Sequence, residues 1–316
     1  MDTLAELIKK KALELGFETA GITHSEILEQ AAADLHQMIT EGKHGSMQWL
    51  AKTERQRPDP RAFFPDAKSV LMVAHNYYRQ KDVRPIPPYS GIISLYARGR
   101  DYHKVLRKKL KRLLAEIQER EPTARGRIFV DSFPIMEKPL AVRAGIGWIG
   151  KNTTLLLKQK GSFFFLGGII LNLPLPADKP FTENYCGRCN RCQQACPTNA
   201  LEIPGQLDSR RCISYLTIEH EGAIPEEFHP GMGTHIFGCD ICQLVCPWNR
   251  FAQDTTETDF FSRFHDSDLK LTLLARLSQK QFERMFEGTP FRRVGYENFK
   301  RNVTIAQMNM RRLIAE

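Results

Sequence analysis

The sequence predicts an α+β protein in three parts: an N-terminal domain over residues 1–175, a cysteine-bearing module over 176–255 and a helical segment over 256–316. Strand-like and helix-like stretches alternate as far as residue 173, the pattern of a sheet covered by helices. All eight cysteines fall between Cys186 and Cys246. Beyond them helical periodicity dominates.

The elements follow in order. Residues 2–15 place Leu4, Leu7, Ile8 and Leu15 on one helical face, and Gly16 ends that helix. Residues 17–22 read as a short strand, and 25–39 as a helix with Ser25 as N-cap. Residues 41–66 read as a Gly-, Pro- and charge-rich loop. Val70, Leu71, Met72, Val73 and Ala74 are consecutive apolar residues, which predicts a buried strand over 69–77. A proline-rich loop (80–91), a basic helix (102–120) capped by Asp101 and a strand (127–130) ending at Asp131 come next. A helix near 137–144 leads into Gly145-x-Gly147-x-x-Gly150, and 162–173 reads as a long apolar strand. Pro174, Pro176 and Pro180 mark a boundary. Residues 269–286 and 296–316 are expected to be helical, the last helix amphipathic, without cap or partner, as if a helical repeat begins there.

No run reaches the 18 or so apolar residues of a membrane span, and the N-terminus lacks the basic and apolar regions of a secretion signal. The expectation is a cytoplasmic protein with no membrane partner, monomeric. The formal charge is +9 and the pI about 9.1. That charge suits a polyanion such as nucleic acid, and suits equally a solvated basic surface.

The cysteines are more specific. A disulfide framework runs through a whole small secreted domain, whereas these are clustered in a large chain. The first block is Cys186-x2-Cys189-x2-Cys192-x3-Cys196-Pro197; the second is Cys239-x2-Cys242-x3-Cys246-Pro247, with Cys212 upstream. Three cysteines two residues apart wrap one cubane, and the fourth, before proline, turns to another. The pattern predicts a ferredoxin-like module with two [4Fe–4S] clusters. Crossing assigns Cys186, Cys189, Cys192 and Cys246 to cluster one, and Cys196, Cys212, Cys239 and Cys242 to cluster two. Zinc ribbons also use Cys-x2-Cys pairs, but rarely the x2-x2-x3-Pro run. The long cysteine-free region before the module is where the electrons should be consumed.

Within that region the residues leave choices open. Gly145-x-Gly147-x-x-Gly150 follows a helix rather than a strand, so it reads either as a loop letting backbone approach a large ligand or as a tight connection. Asp131, at a strand end before Ser132-Phe133-Pro134, reads as a turn former or as a general acid of raised pKa. Arg98, Arg100, Lys104, Arg107, Lys108, Lys109, Lys111 and Arg112 form a basic run, part solvated and part available to phosphate. His103 and His235 read as structural.

Longer stretches carry a resemblance: residues 96–103 (Tyr-Ala-Arg-Gly-Arg-Asp-Tyr-His), 131–134 (Asp-Ser-Phe-Pro), 144–152, the first cysteine block, 208–217 and 238–249. With these the chain resembles the epoxyqueuosine reductases, bacterial tRNA-modifying enzymes related to reductive dehalogenases. The resemblance spans nearly the whole chain. It implies a nitroreductase-like α/β domain binding cobalamin without a histidine ligand, a ferredoxin-like two-cluster module that feeds it electrons, and C-terminal helices. It implies reduction of epoxyqueuosine to queuosine at the tRNA wobble position, the last step of queuosine biosynthesis, fed by a low-potential electron donor. Asp131 then aligns with the family's proton donor. Arg57, Tyr96, Ala97, Lys151, Asn152 and Ser214 fall in motifs lining the cobalamin pocket. Arg292, Arg293, Lys300 and Arg301 are expected to hold tRNA phosphates. Two other functions stay open on the sequence: a cobalamin-dependent dehalogenase and a ferredoxin-type electron carrier.

Overall fold

The computed structural model describes residues 3–83, 85–87 and 89–315; the expected helical positions 2 and 316 lie outside the described residues. Its strands are β1 (Thr19–His24), β2 (Ser69–Asn76), β3 (Ile92–Ile93), β4 (Gly126–Phe129), β5 (Trp148–Ile149), β6 (Leu155–Leu156), β7 (Phe164–Leu171) and β8 (His235–Phe237). The main sheet is antiparallel, in the order β1-β2-β7-β4. The run Val70 to Ala74 forms its interior strand β2, buried on both faces. Alternation splits the run: Leu71 and Val73 join one core, Val70, Met72 and Ala74 the other.

Helices cover both faces. On one, α1 (Leu4–Glu14) contributes Ile8 and Ala12. On the other lies α2 (Glu29–Thr40), which contributes Ala31. Ser25 does not cap α2: its Oγ donates to the Ala67 carbonyl at 2.8 Å, and the helix starts after Leu28 without a side-chain cap. The expected loop 41–66 contains α3 (Gln48–Lys52) and a 3₁₀ turn at Pro60–Ala62. The basic helix is α4 (Tyr102–Arg120), capped by Asp101, with Leu106, Leu110, Leu113 and Ile117 in the first core. The helix α5 (Glu137–Arg143) packs Leu140 and Ala141 into the second.

Glycines then settle the turn after α5. Gly145 has φ +75, and a Cβ on Gly147 would lie 2.0 Å from the Leu156 carbonyl oxygen. The motif is a tight connection into the β5–β6 hairpin. Gly147→Ala is therefore expected to destabilise the fold by about 3 kcal/mol, read as a lower denaturant midpoint.

The cysteine module carries α6 (Arg191–Gln194), α7 (Ile213–Ile218), α8 (His229–Met232) and α9 (Ile241–Leu244). The short helices α6 and α9, each inside a cysteine block, pack against one another. The C-terminal segment holds α10 (Leu271–Leu274), α11 (Gln279–Met285) and α12 (Tyr296–Ala315). The expected single helix over 269–286 is broken because Ser278 and Gln281 form a capping box that starts α11 afresh. Helix α12 is not unpartnered: Phe299, Val303 and Ala306 are buried in a third core, and Asn302 Nδ2 donates to the Thr217 and Ile236 carbonyls.

Boundaries near 175 and 255 do not separate these cores. Strand β3 pairs in parallel with β8, and Ile93 and Ala97 share the third core with Phe237 and Phe299. Asp240, between Cys239 and Cys242, accepts from Ser94 Oγ and from the Leu95 N–H at 2.7 Å. The segment 92–97 thus fastens the N-terminal region to the cysteine module.

Candidate functional site

Asp131 leaves the end of β4 with φ +44, a left-handed conformation that costs a non-glycine residue energy and gathers at functional sites. Its backbone N–H donates to Glu137 Oε1 at 2.7 Å, which holds the turn. Its Oδ2 accepts from Tyr102 Oη at 2.6 Å and lies 3.0 Å from His103 Nε2. Tyr102 and His103 open helix α4. Asp101 caps that helix through the His103 N–H and also meets His103 Nδ1 at 2.8 Å, so the cap orients the ring. His103 therefore bridges two carboxylates, and both ring nitrogens are engaged.

The electrostatics follow. Desolvation opposes charge on His103, but hydrogen bonds to Asp101 and Asp131 and their negative charges outweigh it, pushing the imidazole up to about 9. Desolvation would raise Asp131, yet the hydrogen bonds from His103 and Tyr102, with the charges of His103 and Arg293, hold its carboxyl below the ordinary carboxylate range. The expected raised pKa at Asp131 is thus overturned: its neighbour Phe133 faces Phe63 and Arg127, while an imidazolium faces the carboxylate. Burial and the Asp131 charge push Glu137 up to about 8.

This group lines a cavity of about 1240 Å³, larger than the roughly 300–1,000 Å³ of ordinary small-molecule pockets. Trp49 and Arg57 form part of one wall, with the Arg57 guanidinium 4.9 Å from the indole centroid. Tyr96, Asp131, Cys212 and Ser214 also line it, as do Lys104, Arg107, Arg292 and Arg293. A wide slot with cationic and hydroxyl groups at its rim suits a large planar corrinoid bearing amide arms. His103, with both nitrogens engaged, offers no lone pair to a metal, in keeping with a corrinoid bound without a histidine ligand.

The eight cysteines form no disulfide, and each is partly exposed. Their mutual fields sort them. Cys246 senses Cys186, Cys192 and Cys189; Cys239 senses Cys212 and Cys196, and Cys242 senses Cys239 and Cys212 most. Cys246 is thus near the first three cysteines and Cys212 near Cys239 and Cys242, while Cys242 also senses Cys192 of the other set. Backbone N–H groups aim at the sulfurs: Ala200 N lies 3.3 Å from Cys196 Sγ, and those of Ser214 and Tyr215 face Cys212. Burial pushes Cys239 up to about 12 and Cys242 higher still; such crowded thiols become thiolates only with compensating cations, which cluster iron supplies. Cys212 borders the large cavity, and no other cysteine is in its lining.

Three residues expected at the corrinoid pocket lie off the cavity wall. Ala97 is fully buried in the third core. Lys151 Nζ donates to the carbonyls of Gly187 (2.7 Å) and Cys189 (2.9 Å), tying down the first cysteine loop. Asn152 Nδ2 donates to the Cys242 carbonyl. Both follow the tight glycine turn, which directs them to the cysteine module. Of the expected phosphate ligands, Arg301 is occupied by the carbonyls of Leu216, His220 and Gly222, and Lys300 by that of Ala275. Lys109 of the basic run likewise pairs with Glu257 at 2.7 Å. His235 is structural as read, buried with Nδ1 against the Met232 carbonyl. The sequence reading took His103 as structural and gave Tyr102 and Trp49 no role in the site. An Asp-Tyr-His run opening a helix was the signal for the first two; an isolated Trp in a loop gave none.

A family profile described as "4Fe-4S double cluster binding domain" matches residues 185–249, and one described as "Epoxyqueuosine reductase QueG, DUF1730" matches residues 57–132. The epoxyqueuosine reductase of Vibrio cholerae is 44% identical over 309 residues, covering 97% of this chain and 83% of that protein. That of Escherichia coli is 44% identical over 312 residues, 98% of this chain and 82% of that one. A crystal structure of epoxyqueuosine reductase with an epoxyqueuosine-modified tRNA-Tyr stem loop superposes with a TM-score of 0.89 at 30% identity, covering 97% of this chain and 81% of that one. Identity at this level along almost the entire length, with both profiles falling on the cavity and cysteine regions, means that the chain belongs to the epoxyqueuosine reductase family.

Proposed function

We propose that the chain reduces epoxyqueuosine to queuosine at the wobble position of tRNA, using cobalamin and two [4Fe–4S] clusters. The observation that carries this reading is a protonatable pair, Asp131 and His103, facing a cavity of about 1240 Å³ whose wall includes the cluster-two cysteine Cys212. In this reading residues 1–175 supply most of the corrinoid pocket, 176–255 the clusters, and 256–316 part of the tRNA rim.

Removing the epoxide oxygen as water and leaving an alkene takes two electrons and two protons. When bound, the clusters supply single electrons and the corrinoid supplies the low-potential metal centre at which they reach the substrate. Arg57, Tyr96 and Ser214 hold the corrinoid from the cavity wall. Lys104, Arg107 and Arg292, at the same rim, take the phosphates of the anticodon loop, while Arg293 pairs with Glu219 at 2.9 Å. Asp131, itself a carboxylate, relays one of the two protons from His103 to the departing oxygen, and solvent supplies the other. His103 keeps that proton available: at neutral pH it is an imidazolium whose Nε2–H points at Asp131 Oδ2, so it re-protonates the carboxylate as the oxygen takes up charge.

The test is incubation of reduced, cluster-loaded protein with cobalamin and epoxyqueuosine-bearing tRNA, followed by mass analysis of the nucleosides. Queuosine should form only with both cobalamin and reductant present. No conversion by fully loaded protein would overturn the reading; halide release from organohalides would then favour a dehalogenase, and failure to take up corrinoid at micromolar concentration an electron carrier. Among the described residues no helix is long and apolar enough to cross a membrane.

A further inference from the structure

We infer that the face over the first cysteine set is the docking surface for a small acidic protein that carries one electron at a time. The two cysteine sets differ in access. Cys212, Cys239 and Cys242 lie under the cavity wall and the segment fastened by Ser94 and Asp240. The loop of the first set faces outward instead. Gly187, Arg188, Asn190 and Arg191 are exposed, and a Cβ on Gly187 would meet nothing within 4 Å. Lys151 fixes this loop from beneath, so it presents a defined shape.

Around the loop stands a connected aromatic patch. Tyr185, just before Cys186, is 36% exposed. It contacts Trp148, Phe181 and Trp248, whose indole N–H donates to the Tyr185 carbonyl at 3.2 Å. Cations border the patch. Lys158 Nζ lies 4.9 Å from the Tyr185 ring centroid, Arg250 lies over Phe251, and Arg188 and Arg191 flank Cys189. All four are exposed, and among the described residues none forms an ion pair. Arg61, Arg125 and Arg210 elsewhere on the surface each pair with an aspartate. The only carboxylate in residues 181–192 is Glu183. Unpaired cations around an aromatic centre match an acidic protein whose own redox group sits at its surface. Nucleic acid would also find positive charge here, but its base must reach Asp131, on the cavity side, where Arg107, Arg292 and Arg293 already stand.

Electrons then enter at cluster one and leave through cluster two. Each encounter oxidises the carrier by one electron and reduces the first cluster by one; two encounters supply the pair that the deoxygenation consumes. The step requires the clusters and is independent of what the cavity reduces.

The test uses cluster-loaded full chain and an acidic flavodoxin as the probe, with two double variants: Lys158→Glu/Arg250→Glu, whose positions lie outside the cysteine spacings, and Arg188→Glu/Arg191→Glu. Three quantities are read: binding of oxidised flavodoxin, cluster bleaching by reduced flavodoxin and by dithionite, and tRNA affinity. The expected result is at least about a tenfold loss in flavodoxin binding and flavodoxin-driven bleaching at low salt, shrinking as salt screens the charges. Dithionite-driven bleaching and tRNA affinity should stay within about twofold. Unchanged flavodoxin binding in Lys158→Glu/Arg250→Glu at full iron content overturns the proposal. So does equal slowing with both reductants, or a loss confined to tRNA affinity, which would make the face a nucleic-acid surface.

Discussion

Asp131→Asn is expected to retain both clusters and corrinoid binding while lowering turnover of epoxyqueuosine-tRNA by about 10²–10⁴-fold, the usual worth of a positioned acid. The substitution keeps volume and shape. Asn Oδ1 can still accept from Tyr102 Oη and from His103 Nε2, both within 3.0 Å of the present Oδ2. The amide cannot carry the proton onward. It also removes one of the two carboxylates that hold His103 up at about 9, so the imidazole loses its proton more readily as well. The measurements are iron content, visible absorption of the bound cofactors and single-turnover nucleoside analysis. Full activity in the variant with its cofactors in place would remove Asp131 from proton delivery. The left-handed turn is no obstacle to the test, because asparagine tolerates φ > 0 as well as aspartate does.

How far the site was legible depends on whether its signal was local. The two-cluster module was, because the close spacings within each cysteine block lie within a dozen residues and a double-cluster profile matches residues 185–249. Strand β2 was legible for the same reason: five consecutive apolar residues, too few for a buried helix, mark a strand buried on both faces. Ser25 misled because a serine before a helical pattern looks the same whether its hydroxyl caps the helix or reaches the Ala67 carbonyl, 42 residues on. Lys300 and Arg301 misled likewise: positive charge reads as a phosphate contact until carbonyls remote in sequence occupy it. Lys151 belonged to a motif read as a ligand loop, and only the clash of a Gly147 Cβ with Leu156 shows why the chain there turns toward the cysteines. The acid was legible as a residue but not as a proton. Its environment comes from helix α4, about 28 residues earlier in the chain, and that neighbour reverses the direction of its pKa.

That reversal has a measurable consequence at His103. In the native protein the imidazole is protonated below about 9 and loses its proton as pH rises through that value. Turnover, which draws on this proton, should therefore hold through neutral pH and fall above about 9. His103→Gln keeps a donor toward Asp131 but neither charge nor titration. Asp131 loses the hydrogen bond and positive charge that weigh most against its desolvation, so its carboxyl moves upward. Two effects follow. At pH 7 the rate falls on the order of 10²-fold, because the pair no longer holds a ready proton. As pH falls toward the ordinary carboxylate range the variant recovers activity, since Asp131, less depressed than in the native protein, begins to hold the proton itself, and the descending limb near 9 is lost. A purely structural role for His103 predicts something else: a uniformly lower rate with the native pH profile and reduced corrinoid uptake. The pH–rate profile at saturating tRNA, with corrinoid binding measured on the same samples, separates the two. A retained limb near 9 in His103→Gln would place the titrating proton elsewhere, with Glu137, pushed up to about 8 beside the Asp131 N–H, the next group to change.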